Sequence, residues 1–142
     1  MSNPTSSFAG LQNYPATLDA TYVAWLKQAK KSKTAFAVAD IEGVEISHKK
    51  FLAGVLLFSK KIAVYSPEQN VGLLLPSSGG GAIASMAILA LGKTIVNLNF
   101  TAGKKALQSA AEQAEVKHIY TSRKFLDKMT DCPLYPSYAA DE

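Results

Sequence analysis

The sequence is poor in the residues that most chemistry needs. Its 142 residues include one cysteine, Cys132, and two histidines, His48 and His118. A single cysteine excludes an internal disulfide and fits a reducing compartment. His48, expected to be exposed in the first turn of a helix, has no second His, Cys or carboxylate at ligand spacing. His118 falls in a short apolar run and reads as a buried, hydrogen-bonded strand residue, so no metal site is expected. No Ser-His-Asp, Cys-His or paired-carboxylate arrangement stands out, and Cys132 lies in a Pro-flanked tail without a thiolate-stabilising neighbour. Long hydrophobic runs are also missing. The most apolar run, Phe51 to Phe58, is far shorter than the roughly 20 residues a membrane span needs, and Lys49-Lys50 and Lys60-Lys61 bracket it. The first residues, MSNPTSSFAG, contain neither a basic nor an apolar signal-peptide region. These absences predict a soluble, cytoplasmic chain.

What is present is enough for a core. The composition is 48% hydrophobic and 18% charged, with a formal net charge of +4, which is globular and mildly basic. That charge permits an anionic partner without requiring one. The positive residues come in scattered pairs with no interleaved aromatic platform, so no nucleic-acid partner is expected.

The organising stretch is Val71 to Gly103. Val71 to Leu75 is apolar without alternation, the pattern of a strand buried on both faces. It stops at Pro76 and opens into Ser77-Ser78-Gly79-Gly80-Gly81. A helix of small residues, Ala82 to Leu91, follows and ends at Gly92, and Thr94 to Leu98 is a second β-branched run. This is a βαβ unit. A third helix is expected over about Lys104 to Glu115, with Leu107, Ala110, Ala111 and Ala114 inward. A third strand follows over Val116 to Thr121, and then a short Ser122-capped helix with Phe125, Leu126 and Met129.

Before this unit, a helix capped by Asp19 or Thr21 carries Tyr22, Trp25, Leu26 and Ala29 on one face. Thr34 to Ile46 reads as a β-hairpin, with Phe36 and Val38 sharing a face. A Ser47-capped helix runs from His48 to about Tyr65, with Phe51, Leu52, Val55, Leu56, Ser59 and Ile62 inward. The fold class is therefore α/β: three layers, a mainly parallel sheet of βα units, and a small hairpin near the N-terminus. Residues 1–19 read as an irregular lead-in and 131–142 as a loop-like tail.

Two segments invite a phosphate reading. Ala87 to Thr94, AILALGKT, loosely fits a phosphate loop, but its order is reversed: helix precedes Gly92 and strand follows, so Gly92 is better read as a helix C-cap glycine. Ser78, Gly79 and Gly80 are the better anion-binding candidates, because they follow a strand and open a helix. The plain alternative is a tight turn whose glycines allow close packing.

One resemblance goes further. Leu74-Leu75-Pro76, the run Asn99-Phe100-Thr101-Ala102-Gly103, and Thr121-Ser122-Arg123-Lys124-Phe125-Leu126-Asp127-Lys128 together resemble the early part of adenylate-forming (AMP-binding) acyl-activating enzymes. They look most like the acyl-acyl-carrier-protein synthetase portion of 2-acylglycerophosphoethanolamine acyltransferases. Ile46 to Phe51 resembles the same family's early helix-opening motif. The resemblance makes residues 20–130 an N-terminal subdomain of an AMP-binding domain, and thus a partial domain. It implies a parent enzyme that uses ATP and Mg²⁺ to activate a fatty acid and passes the acyl group to acyl carrier protein or coenzyme A, linked to lysophospholipid reacylation at the inner face of the cytoplasmic membrane. Such relatives often have Asn where Ser77 stands. The family's Lys-ended ATP loop and later Mg²⁺-contacting motifs do not occur in these residues, so no catalytic, cofactor-binding or metal residue is expected here. Asn99, Phe100, Thr101 and Gly103 match the family motif without an assigned role. The implied partners are the remainder of the adenylation domain and the parent's acyl substrate and acceptor. A cut sheet would also favour self-association. The reading of a different class is a stand-alone, non-catalytic α/β module that binds an anionic ligand or a membrane surface.

Overall fold

The structure is a computed structural model that describes residues 20–41 and 43–127. The lead-in, Met129, Cys132 and the tail lie outside the described residues. The elements run α1 (Thr21–Lys31), β1 (Phe36–Ala39), β2 (Glu45–Ser47), α2 (His48–Tyr65), β3 (Asn70–Leu74), α3 (Gly79–Ala90), β4 (Thr94–Asn97), α4 (Lys104–Gln113), β5 (Ile119–Thr121) and α5 (Arg123–Asp127). A 3-10 turn at Phe100–Ala102 precedes α4.

Two sheets form. β1 and β2 make an antiparallel hairpin, while β3 sits between β4 and β5 in a parallel sheet. Because β3 is central, its side chains must be buried on both sides. Val71 and Leu73 enter one core with Phe51, Val55 and Ile62 of α2 and Ala84, Ala87 and Ile88 of α3. Leu74 enters a second core with Leu98, Leu107, Ala111, Val116 and Phe125. The flanking strands alternate likewise: Ile95 and Tyr120 face the first core, Val96 and Ile119 the second. This is the expected three-layer α/β fold, with α2 and α3 on one face of the sheet and α4 and α5 on the other. Gly72 faces the second core, where a Cβ would lie 2.8 Å from both Val116 and Ile119 side-chain carbons.

Helix ends follow local chemistry. Ser47 and Ser78 cap α2 and α3 by accepting from the backbone N–H groups of Lys50 and Gly81. Ser122 Oγ accepts from Phe125 N–H at 3.2 Å. At the end of α3, Gly92 N–H donates to Leu89 O and Lys93 N–H to Ile88 O, with Gly92 at φ +69°. That is a Schellman ending, and it confirms Gly92 as a C-cap glycine.

Several expectations change. Thr21 is already helical, and the N-cap position falls to Ala20, which has no side chain to donate or accept; Asp19 lies outside the described residues. The hairpin register shifts between Phe36 and Val38, which breaks the alternation and leaves Phe36 exposed. On α2 the buried line is Phe51, Val55 and Ile62, with Phe58 beside it, so Leu56 turns outward. α3 starts three residues early, at Gly79, because Ser78 caps it. α4 stops at Gln113; Leu107 and Ala111 are buried and Ala114, just past its end, packs against the second core as expected, while Ala110 is exposed. β4 and β5 are shorter than expected, although Leu98 and Val116 beyond them remain buried. His118 precedes β5 and is exposed, while His48 is half-buried and accepts a hydrogen bond at Nδ1 from Trp25 Nε1 at 3.2 Å.

The end of α4 repeats the Schellman pattern without glycine. Glu115 N–H donates to Glu112 O and Val116 N–H to Ala111 O, with Glu115 at φ +52°. A left-handed non-glycine residue carries a cost of roughly 1 kcal/mol. Glu115→Gly is therefore expected to stabilise the chain by about 0.5–1 kcal/mol in urea unfolding followed by circular dichroism.

Candidate functional site

Parallel strands point their C-terminal ends the same way, and in open α/β sheets the crevice there is the usual ligand position. Leu74, Asn97 and Thr121 end β3, β4 and β5 on this edge. The turn from Leu75 to Gly81 rises between two clefts. One, of about 450 Å³, is walled by Phe58, Ile83, Thr121, Ser122, Lys124 and Phe125. The other, of about 680 Å³, lies toward the hairpin and is walled by Val38, Asp40, Ile41, Ser85 and Asn97. Leu75, Pro76, Ser78 and Gly81 line both.

The sequence-selected turn sits at this position. Ser78 Oγ accepts from Gly81 N–H at 3.1 Å, which uses one of the free donors of the helix N-terminus. Gly79 N–H donates to Asp40 Oδ2 at 3.3 Å, so a carboxylate from the hairpin occupies the first turn of α3. Asp40 Oδ1 also accepts from Val44 N–H at 3.1 Å, which holds the hairpin turn against α3. Gly80 is exposed on the side of the turn that faces the Thr121 cleft. Thr121 Oγ1 is buried there without a hydrogen-bond partner. Asp40 was not singled out from sequence, and Thr121 only as the start of a family-like segment. The first looked like simple turn chemistry and the second like a strand terminus, and only the packing of distant elements brings them to α3.

The motif Asn99 to Gly103 is built for shape. Asn99 Oδ1 accepts from both Thr101 N–H (3.0 Å) and Thr101 Oγ1 (2.8 Å), which closes the 3-10 turn. Phe100 lies edge-on against Phe125, with ring centroids 5.0 Å apart. Gly103 takes φ +81° and ψ 167°, a region essentially reserved for glycine, and starts α4 without a side-chain cap. Phe125 belongs to the second family-like segment and lines the Thr121 cleft, so the two segments meet in space at one aromatic pair.

A second polar cluster sits at the opposite, N-terminal edge of the sheet. Glu68, with its side chain 9% exposed, pairs through Oε1 with His118 Nδ1 at 2.8 Å, while its Oε2 is buried without a partner. Lys93 Nζ donates to Glu68 O at 2.7 Å. Burial alone would raise the Glu68 pKa. The hydrogen bond from its own backbone, the His118 contact and the Lys93 charge outweigh that and hold it below its ordinary value. Burial raises the Tyr120 phenol, with Glu68 adding to the effect and the Ser66 hydrogen bond opposing it. Ser66 is fully buried, and its Oγ lies 2.8 Å from Tyr120 OH, which fastens the end of α2 to β5.

Among the described residues no group of three or more His, Cys, Asp or Glu could hold a metal ion.

No family model matches the chain. Solved structures do. A four-domain nonribosomal peptide synthetase bound to AMP and glycine is similar at a TM-score of 0.69 and 24% identity, over 79% of this chain and 8% of that one. A mutant form of the coronafacic acid ligase of Pectobacterium brasiliense gives 0.70 and 14%, over 79% and 22%. The N-terminal subdomain of Klebsiella oxytoca NpsA, in complex with 3-hydroxyanthranilyl-AMSN, gives 0.66 and 13%, over 80% and 32%. At these identities the likeness is one of fold, and the chain spans between 8% and 32% of the length of these neighbours.

Two outcomes check the site. A Cβ at Gly81 would lie 2.8 Å from the Pro76 carbonyl oxygen, whereas at Gly80 the nearest atom is Ser78 Oγ at 3.9 Å. Gly81→Ala is therefore expected to destabilise the chain by about 1–3 kcal/mol. Gly80→Ala is expected to be neutral or stabilising by up to about 1 kcal/mol in the same unfolding assay. For Glu68, a lowered folded-state pKa means a contribution fully present above the unfolded value, about 4.3, and lost as pH falls through the folded one. Glu68→Gln should cost about 1 kcal/mol near neutral pH and flatten the acid limb of the stability–pH curve, as measured by urea midpoints across pH.

Proposed function

We propose that this chain is the N-terminal scaffold portion of an adenylate-forming ligase. In this reading the parent uses ATP to activate a carboxylic acid, and the chain contributes the sheet, its C-terminal edge and one wall of the substrate region rather than reacting groups. The observation that carries the proposal is the fold likeness, over about four-fifths of the chain, to several enzymes of this kind, among them a synthetase bound to AMP. Two features support it. The chain spans only a minor part of each neighbour, and the two family-like segments pack on each other beside the cleft at the sheet's C-terminal edge.

Within that class we infer a fatty acid as substrate and a carrier-protein or coenzyme A thiol as acceptor, in a parent linked to lysophospholipid reacylation. This rests on the resemblance of Asn99 to Gly103 and Thr121 to Lys128 to the acyl-acyl-carrier-protein synthetases. Stabilising a triphosphate in transfer needs a Lys-bearing loop and a metal-binding carboxylate set, and this sequence offers neither. The purified chain is therefore expected to give no fatty-acid-dependent ATP–pyrophosphate exchange above background. Exchange by this chain alone would overturn the proposal. So would a coding frame that closes directly after Glu142 instead of running on into a Ser/Thr/Gly-rich loop ending in Lys.

A further inference from the structure

The side of α2 turned away from the core is not the polar face that a solvated helix presents. Leu56, Leu57, Val64 and Tyr65 are each more than half exposed. Leu57 and Val64 lie one heptad apart, on the side opposite Phe51, Val55 and Ile62. Lys49, Lys50, Lys60 and Lys61 are exposed on the same helix, which contains no Asp or Glu. The fold adds to this charge. Lys49 N–H donates to Lys33 O at 3.2 Å and His48 N–H to Ala35 O at 3.0 Å, so the Lys30, Lys31 and Lys33 cluster that ends α1 is laid beside the start of α2. Between Ala20 and Pro67 the acidic residues are Asp40, Glu42 and Glu45, none of them within the ranges of α1 or α2.

We propose that the outer face of α2, with the lysines at the end of α1, docks the protein onto an anionic lipid bilayer. An interfacial helix needs apolar side chains on one face with cations close beside them. α2 has both within two turns, at Leu57, Lys60, Lys61 and Val64. Lysine stems reach along an apolar surface while the ammonium stays with the headgroups. A protein partner would instead bury those cations, and lysine is depleted from the cores of protein interfaces for that reason. No helix of the described residues is long and apolar enough to cross a membrane, so the helix would lie in the plane of the surface. This inference stands independently of the ligase reading.

The test is co-sedimentation of the full chain with vesicles of phosphatidylglycerol and phosphatidylethanolamine, and with vesicles of phosphatidylcholine alone. Binding is expected on the anionic vesicles only, weakening about tenfold between about 0.1 and 0.5 M salt. Leu57→Ser with Val64→Ser should weaken partitioning by about tenfold, and Lys60→Glu with Lys61→Glu should abolish it. All four side chains are solvent-facing, so unchanged circular dichroism and melting are expected to show that both variants fold. Absence of binding, equal binding to neutral vesicles, or wild-type binding by the serine variant would each overturn the proposal. A serine variant that turns a dimer into a monomer in sedimentation velocity, with vesicle binding unchanged, would assign the face to a second copy of the chain instead.

Discussion

Burial of β3 on both faces is the constraint on which the rest of the structure depends. A strand with Val71 and Leu73 on one side and Leu74 on the other cannot be satisfied by one layer of helices. It requires α2 and α3 above and α4 below. Its backbone also requires hydrogen-bonding neighbours on both edges, which β4 and β5 supply. Once β3 is central, its end becomes, among the described residues, the turn flanked by strand ends on both sides. That is why the Leu75 to Gly81 segment separates two clefts. Gly81 follows from the same geometry, since the helix starts so close to the strand that Pro76 O lies only 2.8 Å from where a Cβ would sit.

The legible parts of this fold were those set by local chemistry or by a pattern with one strong period. The unbroken apolar run of β3, the serine caps at Ser47 and Ser122, and the glycine ending of α3 are decided within a few residues of themselves. The illegible parts depended on what lay opposite. Leu56 and Ala110 match a helical period as well as their buried neighbours do. Which of two adjacent stripes faces inward is set by the partner surface: Phe58 takes its place against Tyr120, with ring centroids 5.3 Å apart, and Leu56 is rolled outward. His118 looked like a strand residue in an apolar context. Glu68, fifty positions earlier in sequence, draws it to the rim instead. No window over the sequence contains both partners.

The candidate site divides the same way. The turn at Ser78 to Gly80 was visible because glycine after a strand is a strong local signal. Its electrostatic partner was not, because Asp40 reaches Gly79 across thirty-nine residues from an independent hairpin. A carboxylate on the first N–H of a helix satisfies both the orphan donor and the helix dipole. The two family-like segments behave similarly. Read along the chain they are separate fragments of a resemblance. In space they share the Phe100–Phe125 contact, and that contact gives the exposed Asn99 to Gly103 turn a reason to hold its shape.

Under the proposed reading of the chain as part of a larger domain, exposed apolar side chains have an ordinary explanation, namely surface awaiting the rest of that domain. The distribution of charge argues that this explanation does not serve for all of them. Phe36, Ile41 and Val44 are exposed on or beside the hairpin, which carries the carboxylates Asp40 and Glu45. On α2 the exposed leucines and Val64 alternate with lysines, and covering them with protein would strip water from several ammonium groups with no carboxylate on the helix to offset the loss. An interface that keeps those cations hydrated while removing the leucines from water must itself be polar and anionic at its edge and apolar within. A bilayer surface has that layering and a protein core does not. Under the two proposals, this small fold takes different neighbours on different faces: the rest of a ligase beside the hairpin, lipid along α2.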